Sequence, residues 1–198
     1  MKPLQVFMTV GSQMPFDRMT AAVADWARRQ GPGLTVIAQV GQTRLRAPDL
    51  MPLRWAQTLP PRDYADTCRG SDLMVAHAGM GSVLTALELA RPLLVLPRRG
   101  RHQETRNDHQ VDTALHLRGQ GVMCGGLPVQ VALHEEEIGP MLDQVLNTLI
   151  DPRAGPSIPA QVEPAVGPFC STRSTSHQKL IDHLRHQIQA LGGPKGRL

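Results

Sequence analysis

Residues 71–96 read SDLMVAHAGMGSVLTALELARPLLVL, and this stretch decides the fold. It opens on the short apolar run 73–76, which is typical of a buried strand. The glycine-containing turn HAGMGS, residues 77–82, follows at once, and the nearly all-apolar segment 83–90 then predicts a buried helix. Residues 93–96 predict a second buried strand. Two strands that lack polar alternation and are joined by a helix indicate a parallel sheet.

The same alternation of strands and helices continues on both sides of this stretch. The apolar patterns predict strands at 4–10, 34–40, 54–59 and 122–124, and helices at 15–30, 60–68, 108–117 and 140–149. We therefore predict an α/β fold over residues 1–150, with a parallel sheet that carries helices on both faces. Ligands of such sheets bind beyond the carboxyl ends of the strands, where the turns at Gly11-Ser12 and at 77–82 fall.

The end of the chain has a different composition. Residues 151–173 are rich in Pro, Gly and Ser and are interpreted as a linker. Residues 174–191 predict an amphipathic C-terminal helix, because Leu180, Leu184 and Ile188 recur at helical spacing. We expect this helix to pack back on the domain or on a partner.

Length and composition narrow the function classes. The 198 residues suffice for one domain with a tail, and a core of that size needs no disulfide or metal. Three scattered cysteines without a CxxC pair argue against structural zinc. Aromatic residues make up 3% of the chain, which argues against stacking platforms for single-stranded nucleic acid, so no nucleic-acid partner is expected. No apolar run reaches ~18 residues, so no membrane span is predicted.

The turn at 77–82 is a candidate anion site. Glycines allow close approach of a ligand to the backbone, and the amides that start the following helix can meet a phosphate. His77 and Ser82 can add hydrogen bonds. A dinucleotide fingerprint fails, because Leu84 stands where a third glycine is needed and no acidic residue ends the next strand. The alternative is a plain tight turn between strand and helix.

The loop PRRGRHQETRNDHQ, residues 97–110, is a second candidate. Its carboxylate and amide groups suit sugar hydroxyls, whereas its arginines suit a phosphate or the carboxylate of a uronate. The alternative is a solvated loop with local salt bridges.

Four segments together carry a family resemblance: TVGSQMPFDR at 9–18, SDLMVAHAGMGSVLTALE at 71–88, RPLLVLPRR at 91–99 and ETRNDHQ at 104–110. Over residues 4–150 the chain resembles the C-terminal domain of glycosyltransferase family 28. It is similar to bacterial exopolysaccharide glycosyltransferase subunits related to the catalytic subunit of the dolichol-linked N-acetylglucosaminyltransferase. The resemblance implies a single GT-B half with a Rossmann-like sheet, which would be the UDP-sugar-binding domain.

The resemblance also implies roles for residues at matching positions. The donor diphosphate would lie against Gly11, Ser12, His77, Gly79, Gly81 and Ser82. The donor sugar would lie near Glu104, Asp108, His109 and Gln110. The nucleoside would lie near Tyr64 and Thr85, where Thr85 replaces a glutamate that binds the ribose in many relatives; Glu88, one helical turn on, is an alternative ribose contact.

The function implied is that of a donor-binding subunit of an inverting glycosyltransferase. It would move a sugar from a UDP-sugar to a polyprenyl-diphosphate-linked saccharide in exopolysaccharide or glycan synthesis. The UDP-sugar is a substrate, and neither a cofactor nor a metal is expected. A membrane-anchored acceptor-binding subunit would supply the general base and hold the chain at the cytoplasmic face of the inner membrane. The alternatives are a non-catalytic stabilising or regulatory subunit, which Thr85 favours, and a UDP-sugar 2-epimerase, against which the length argues.

Overall fold

A computed structural model describes residues 3–11 and 14–151. Eight strands are present there: β1 (Leu4–Thr9), β2 (Leu34–Gln39), β3 (Arg54–Ala56), β4 (Leu73–His77), β5 (Leu93–Leu96), β6 (Met123–Cys124), β7 (Leu127–Pro128) and β8 (Gln130–Val131). The α-helices of this part of the chain are α1 (Asp17–Arg28), α2 (Ala47–Leu50), α3 (Pro61–Gly70), α4 (Met80–Glu88), α5 (His109–Gly119) and α6 (Ile138–Ile150).

Six of the strands form one sheet in the order β3-β2-β1-β4-β5-β8, and all neighbouring pairs are parallel. This is the strand order of a Rossmann-like sheet, so the predicted fold class is confirmed. The predicted strand at 122–124 belongs instead to a separate antiparallel hairpin of β6 and β7. The sixth strand of the sheet is β8, which is too short to leave a periodic pattern in the sequence.

Both faces of the sheet are buried, as the unalternating strands predict. Val6 and Met8 of β1 join a core cluster with residues of α1 and α6. Phe7, between them, points to the opposite face, where its ring meets that of Tyr64 on α3 edge to face at 5.4 Å. The alternation repeats in β4, since Val75 belongs to the first cluster and pairs with Met8. Helices therefore cover both faces.

The order of the strands reverses between β1 and β4. From β1 the chain proceeds through β2 to β3 on one side, and from β4 through β5 to β8 on the other. The loops that leave the carboxyl ends of β1 and β4 therefore diverge and open a crevice between them. Gly11 and the turn at 77–82 stand at this crevice.

Some predictions fall outside the described residues. These are the position of Ser12, the linker from residue 152 onward and the helix at 174–191. Within the described ranges, no helix combines the length and the apolar character that crossing a membrane requires.

Candidate functional site

A cavity of about 580 Å³ opens at the carboxyl ends of the sheet. It brings together residues from distant parts of the chain, since the loops after β1, β4 and β5 and the helices α3, α4 and α5 all contribute. Of the predicted site residues, Gly11, Tyr64, His77, Gly81, Ser82, Thr85, Glu104, His109 and Gln110 line it. The lining also includes Arg98, one of the loop arginines expected to suit an anion, and five residues with no predicted role: Thr9, Val10, Met14, Gln39 and Thr105.

The imidazole of His77 lies between two glycines at the base of this cavity. A Cβ atom on Gly79 would lie 2.2 Å from His77 Nε2, and one on Gly11 would lie 2.9 Å from His77 Cε1. Gly11 also has a φ of +77°, which L side chains rarely adopt. Both glycines therefore make room for the histidine ring, whereas the sequence had suggested that they make room for a ligand.

His77 is held as a neutral base. Burial and the positive charge of Arg98 lower its pKa to about 4, although the backbone of Thr9 acts in the opposite direction. Its Nδ1 atom is buried and has no hydrogen-bond partner in the described part of the chain. At neutral pH the ring therefore adds a polar but uncharged surface to the cavity.

Gly81 differs from the other two glycines of this region. Gly81 lines the cavity, and a Cβ atom placed on it would meet no atom of the described residues within 4 Å beyond its neighbours and the backbone of its own helix. Gly81 is the second residue of α4, whose first intrahelical hydrogen bond runs from the Val83 N–H to the Gly79 carbonyl. The amides before Val83 have no partner within the helix, and the dipole of α4 makes this end partly positive. The cavity therefore meets an open, anion-attracting helix terminus.

The residues predicted to meet the nucleoside have different surroundings. Tyr64 lines the cavity, but its hydroxyl interacts with Ser82 and Thr9, and burial raises its pKa. Thr85 also lines the cavity, and its hydroxyl donates to the Gly81 carbonyl at 2.8 Å, so the oxygen can still accept a hydrogen bond. Glu88 is exposed and does not line the cavity.

Glu104, predicted to meet the donor sugar, is buried and strongly bound by the protein. Arg18 of α1 holds both carboxylate oxygens, at 2.7 Å through Nε and 3.1 Å through a terminal nitrogen. The backbone N–H of Arg99 donates to the same carboxylate at 3.0 Å. Arg18 also donates to the Pro97 carbonyl at 2.6 Å and to Glu135 at 3.0 Å. The carboxylate is therefore mainly a structural anchor of its loop.

The other three predicted sugar contacts also have partners within the protein. The carboxylate of Asp108 accepts the Gly100 N–H at 2.7 Å and lies outside the cavity lining. Gln110 is buried and its side-chain oxygen accepts the Arg98 N–H at 3.2 Å. His109 is exposed at the cavity wall and is hydrogen-bonded to the side chain of Asn107. The side chains of these residues mainly form hydrogen bonds within the segment 97–110, and they offer few free polar groups to a ligand.

Arg98 is the cavity residue that the sequence reasoning placed least well. It was expected to offer its guanidinium to an anion, yet the side chain is buried and donates hydrogen bonds to four backbone carbonyls. These carbonyls belong to Val10, Met14, Pro15 and Glu104, at distances of 2.6 to 2.9 Å. Arg98 thus ties the loop after β1 to the loop after β5.

No cluster of three or more metal-ligating side chains was found among residues 3–11 and 14–151. The described cysteines, Cys68 and Cys124, are buried and unpaired, and burial raises the pKa of both thiols. Their thiols therefore stay protonated at neutral pH and are poor nucleophiles.

Known structures share this architecture. MurG from Acinetobacter baumannii matches with a TM-score of 0.56 at 18% identity, covering 75% of this chain and 43% of that one. The glycotransferase of kitacinnamycin matches with a TM-score of 0.53 at 14% identity, covering 96% of this chain and 40% of that one. CalG4, the calicheamicin glycosyltransferase, matches with a TM-score of 0.50 at 15% identity, covering 98% of this chain and 40% of that one.

These likenesses establish the fold. The chain spans about two fifths of the length of the solved structures that it matches, at 43%, 40% and 40%. No curated protein sequence matches it.

A sequence family accounts for the same region. The model of the glycosyltransferase family 28 C-terminal domain matches residues 5–124, which are more than half of the chain. The match contains all but the first residue of β1, the turn at 77–82 and the loop at 97–110, which supply most of the cavity lining. The resemblance expected from the sequence is confirmed, and the chain belongs to the glycosyltransferase family 28 C-terminal domain family.

Proposed function

We propose that the chain is the donor-binding half of a glycosyltransferase that takes its sugar from a UDP-sugar. The acceptor would be a polyprenyl-diphosphate-linked saccharide, in exopolysaccharide or glycan synthesis. The family membership is shown, and the proposal adds to it a substrate and a role for this chain. Its main support is the cavity at the point where the order of the strands reverses.

The observation that carries the proposal is the meeting of Gly81 and the start of α4 with an open cavity. A nucleoside diphosphate carries its negative charge on the diphosphate, and the unpaired amides of a helix start bind such groups. Gly81 leaves space in front of these amides, since no described residue other than its chain neighbours and the backbone of its own helix lies within 4 Å of its missing side chain. A cavity of about 580 Å³ also falls within the usual range for small-molecule sites.

We place the general base on a partner subunit, because the cavity residues offer none that fits. A base must be able to accept a proton from the acceptor hydroxyl near neutral pH. His77 has a pKa of about 4 and is packed between two glycines. Both carboxylate oxygens of Glu104 are bound by Arg18. A membrane-anchored acceptor-binding subunit would supply the base and would bring the chain to the cytoplasmic face of the inner membrane.

A non-catalytic stabilising or regulatory subunit is the second candidate. The observation that favours it is the loop at 97–110, where Glu104, Asp108 and Gln110 are engaged by the protein itself. Such a subunit would keep the fold and would have lost affinity for the donor.

The experiment that separates the two candidates is calorimetric titration of the full chain with UDP, repeated with the Gly81→Val variant. Valine would fill the space in front of the α4 amides, so UDP affinity should fall at least ~10-fold, by about 1.4 kcal/mol or more. Gly119→Val is the matched control, since Gly119 also lies in a helix with nothing within 4 Å of its missing side chain. It should leave UDP affinity unchanged.

The outcomes divide clearly. UDP binding that is lost in Gly81→Val and retained in Gly119→Val supports a donor site at this cavity. No UDP binding by the wild-type chain, even with its partner present, would favour the non-catalytic subunit. Equal loss in both variants would place the effect in folding and contradict the site.

A further inference from the structure

We propose that Arg98 is a buried counter-charge for the donor diphosphate. The carbonyls of the loop after β1 hold the Arg98 side chain in position at the wall of the cavity. The inference rests on the proposed function, because it concerns how the same cavity would hold the phosphates. It assigns to Arg98 a positioning and electrostatic role, without direct contact with the reacting atoms.

The first step is the bonding of the guanidinium. Its terminal nitrogens donate to the carbonyls of Val10, Met14 and Pro15 in the loop after β1, and to that of Glu104. The guanidinium carbon, Cζ, also lies 4.8 Å from the centre of the Phe16 ring in a cation–π contact. Arg18 makes a second cation–π contact with the same ring, at 5.0 Å. The side chain therefore has one fixed position.

The second step is the charge of the guanidinium, which at this position is only partly compensated by the protein. A buried cation is costly unless an anion compensates it. The side-chain hydrogen-bond partners of Arg98 among the described residues are neutral carbonyls, whereas the carboxylate that acts on its charge, that of Glu104, is bound bidentately by Arg18. Burial lowers the pKa of Arg98. The negative charge of Glu104 partly offsets this decrease, and the positive charge of Arg18 increases it.

The third step is the inventory of charges at the cavity wall. Among the described residues that line the cavity, Arg98 is the only arginine or lysine, and the one carboxylate, that of Glu104, is paired with Arg18. His77 is neutral at pH 7, with a pKa of about 4 to which Arg98 itself contributes. A diphosphate in this cavity would therefore find its positive charge at the α4 start and at Arg98.

The test compares ligands that differ in phosphate content. UDP, UMP, uridine and inorganic pyrophosphate are titrated into the full chain, and the ratio of UDP affinity to uridine affinity is the readout. Arg98→Gln removes the charge, and the ratio should fall by about 10-fold to 100-fold, as expected for one charge pair about 6 to 12 Å apart at an effective dielectric constant of about 20. Uridine affinity should change by no more than about 3-fold, because uridine carries no charge.

Two further variants separate charge from architecture. Arg98→Lys keeps the charge with fewer hydrogen bonds, and its ratio should stay within about 5-fold of the wild-type ratio. Arg99→Gln is the matched control: Arg99 also donates to a backbone carbonyl, that of Leu133 at 3.0 Å, but it does not line the cavity. Its ratio should be unchanged.

A purely structural role for Arg98 would lower the affinities for UDP and uridine by the same factor in Arg98→Gln, and that result would overturn the inference. Pyrophosphate distinguishes the two proposals. Pyrophosphate binding that depends on Arg98 without any UDP binding would sustain the counter-charge and overturn the UDP donor. Binding of neither ligand to the wild-type chain would overturn both.

If circular dichroism shows that Arg98→Gln does not fold, arginine side-chain NMR on the wild-type chain gives the answer. The Nε resonance of Arg98 should shift when pyrophosphate is added, and that of Arg99 should not. If the Nε resonances of both Arg98 and Arg99 stay unchanged at saturating pyrophosphate, the inference is contradicted.

Discussion

The turn at 77–82 and the loop at 97–110 both follow strands of the same sheet, yet they are built in opposite ways. The turn uses glycines and a helix start, and it presents open backbone to the cavity. The loop uses charged side chains, and three of these are bound by other parts of the protein: Glu104 by Arg18, Arg98 by the carbonyls after β1 and Arg99 by the Leu133 carbonyl. The turn is therefore the part of the site that offers open backbone to a ligand, whereas the loop mainly holds the cavity wall and contributes the charge of Arg98.

The glycines of the turn show a second difference. Gly79 is required by the His77 ring beside it, whereas Gly81 is required by nothing that the described chain contains. Gly81 also lines the cavity, unlike Gly119, which is just as uncrowded, so Gly81 is the glycine of the turn that best fits a role toward a ligand. Four tests of this division follow, in order of the size of the effect expected on stability.

Arg18→Ala should have the largest effect. It would leave Glu104 buried with its principal cation removed, and breaking such a buried pair costs about 3 to 5 kcal/mol. Urea unfolding of the full chain measures the loss. Arg28→Ala is the control, because Arg28 and its partner Asp25 are exposed and should contribute no more than about 1 kcal/mol. Equal losses in the two variants would show that the loop is not held by the buried pair.

Lowering the pH should destabilise the protein through His77. The unfolded chain binds a proton at this residue below its ordinary pKa of 6.5, whereas the folded chain resists it until about pH 4. Stability that is present above pH 6.5 is therefore lost between pH 6.5 and 4, by about 3 kcal/mol.

The measurement is urea unfolding of the wild type and of His77→Gln at several pH values. The wild-type advantage over the variant should shrink by that amount on acidification. A difference between the two proteins that stays constant with pH would contradict the neutral, buried state of His77.

Gly79→Ala should destabilise the chain by about 1 to 3 kcal/mol, because the new methyl group would overlap His77 Nε2 at 2.2 Å. The cost should largely disappear in a His77→Ala background, which removes the ring. A double-mutant cycle from thermal or urea unfolding gives the coupling between the two positions. A coupling near zero would mean that the histidine ring is not what requires Gly79.

Thr85→Val should have the smallest effect on stability, below about 1 kcal/mol, with a several-fold loss of UDP affinity. Thr113→Val is the matched control. Thr113 makes the same bond to a carbonyl one turn back in α5 as Thr85 does in α4, but it does not line the cavity.

UDP affinity should fall in Thr85→Val alone. If Thr85→Val retains its UDP affinity and Glu88→Gln loses it, the ribose would instead lie at Glu88.

Much of the fold could be predicted from the pattern of apolar residues, because this pattern indicates which positions are buried. Strands such as Leu93–Leu96 are apolar throughout because both faces are covered, and this is visible in the sequence. Three elements escaped: α2 has four residues, and β7 and β8 have two each, so none of them leaves a periodic pattern. Their positions depend on pairing and packing with distant segments.

The cavity was predictable in its location and less so in its chemistry. The turn at 77–82 marked the correct edge of the sheet, because glycines and a helix start are local features. Whether a side chain is available to a ligand depends on partners far along the chain, such as Arg18 for Glu104. The role of Arg98, whose carbonyl partners include Val10, could not be found from local sequence for the same reason.

The most direct test of the central claim is an NMR titration of the isotope-labelled full chain with UDP. Saturable chemical-shift changes should be largest at the amides of Gly81 and Ser82 and at Gly11. Amides that lie away from the cavity, such as those of Ala22 and Gly139 in the groove between α1 and α6, should not respond. Saturable shifts confined to such a distant surface, or no shifts at millimolar UDP, would contradict a donor site at this cavity.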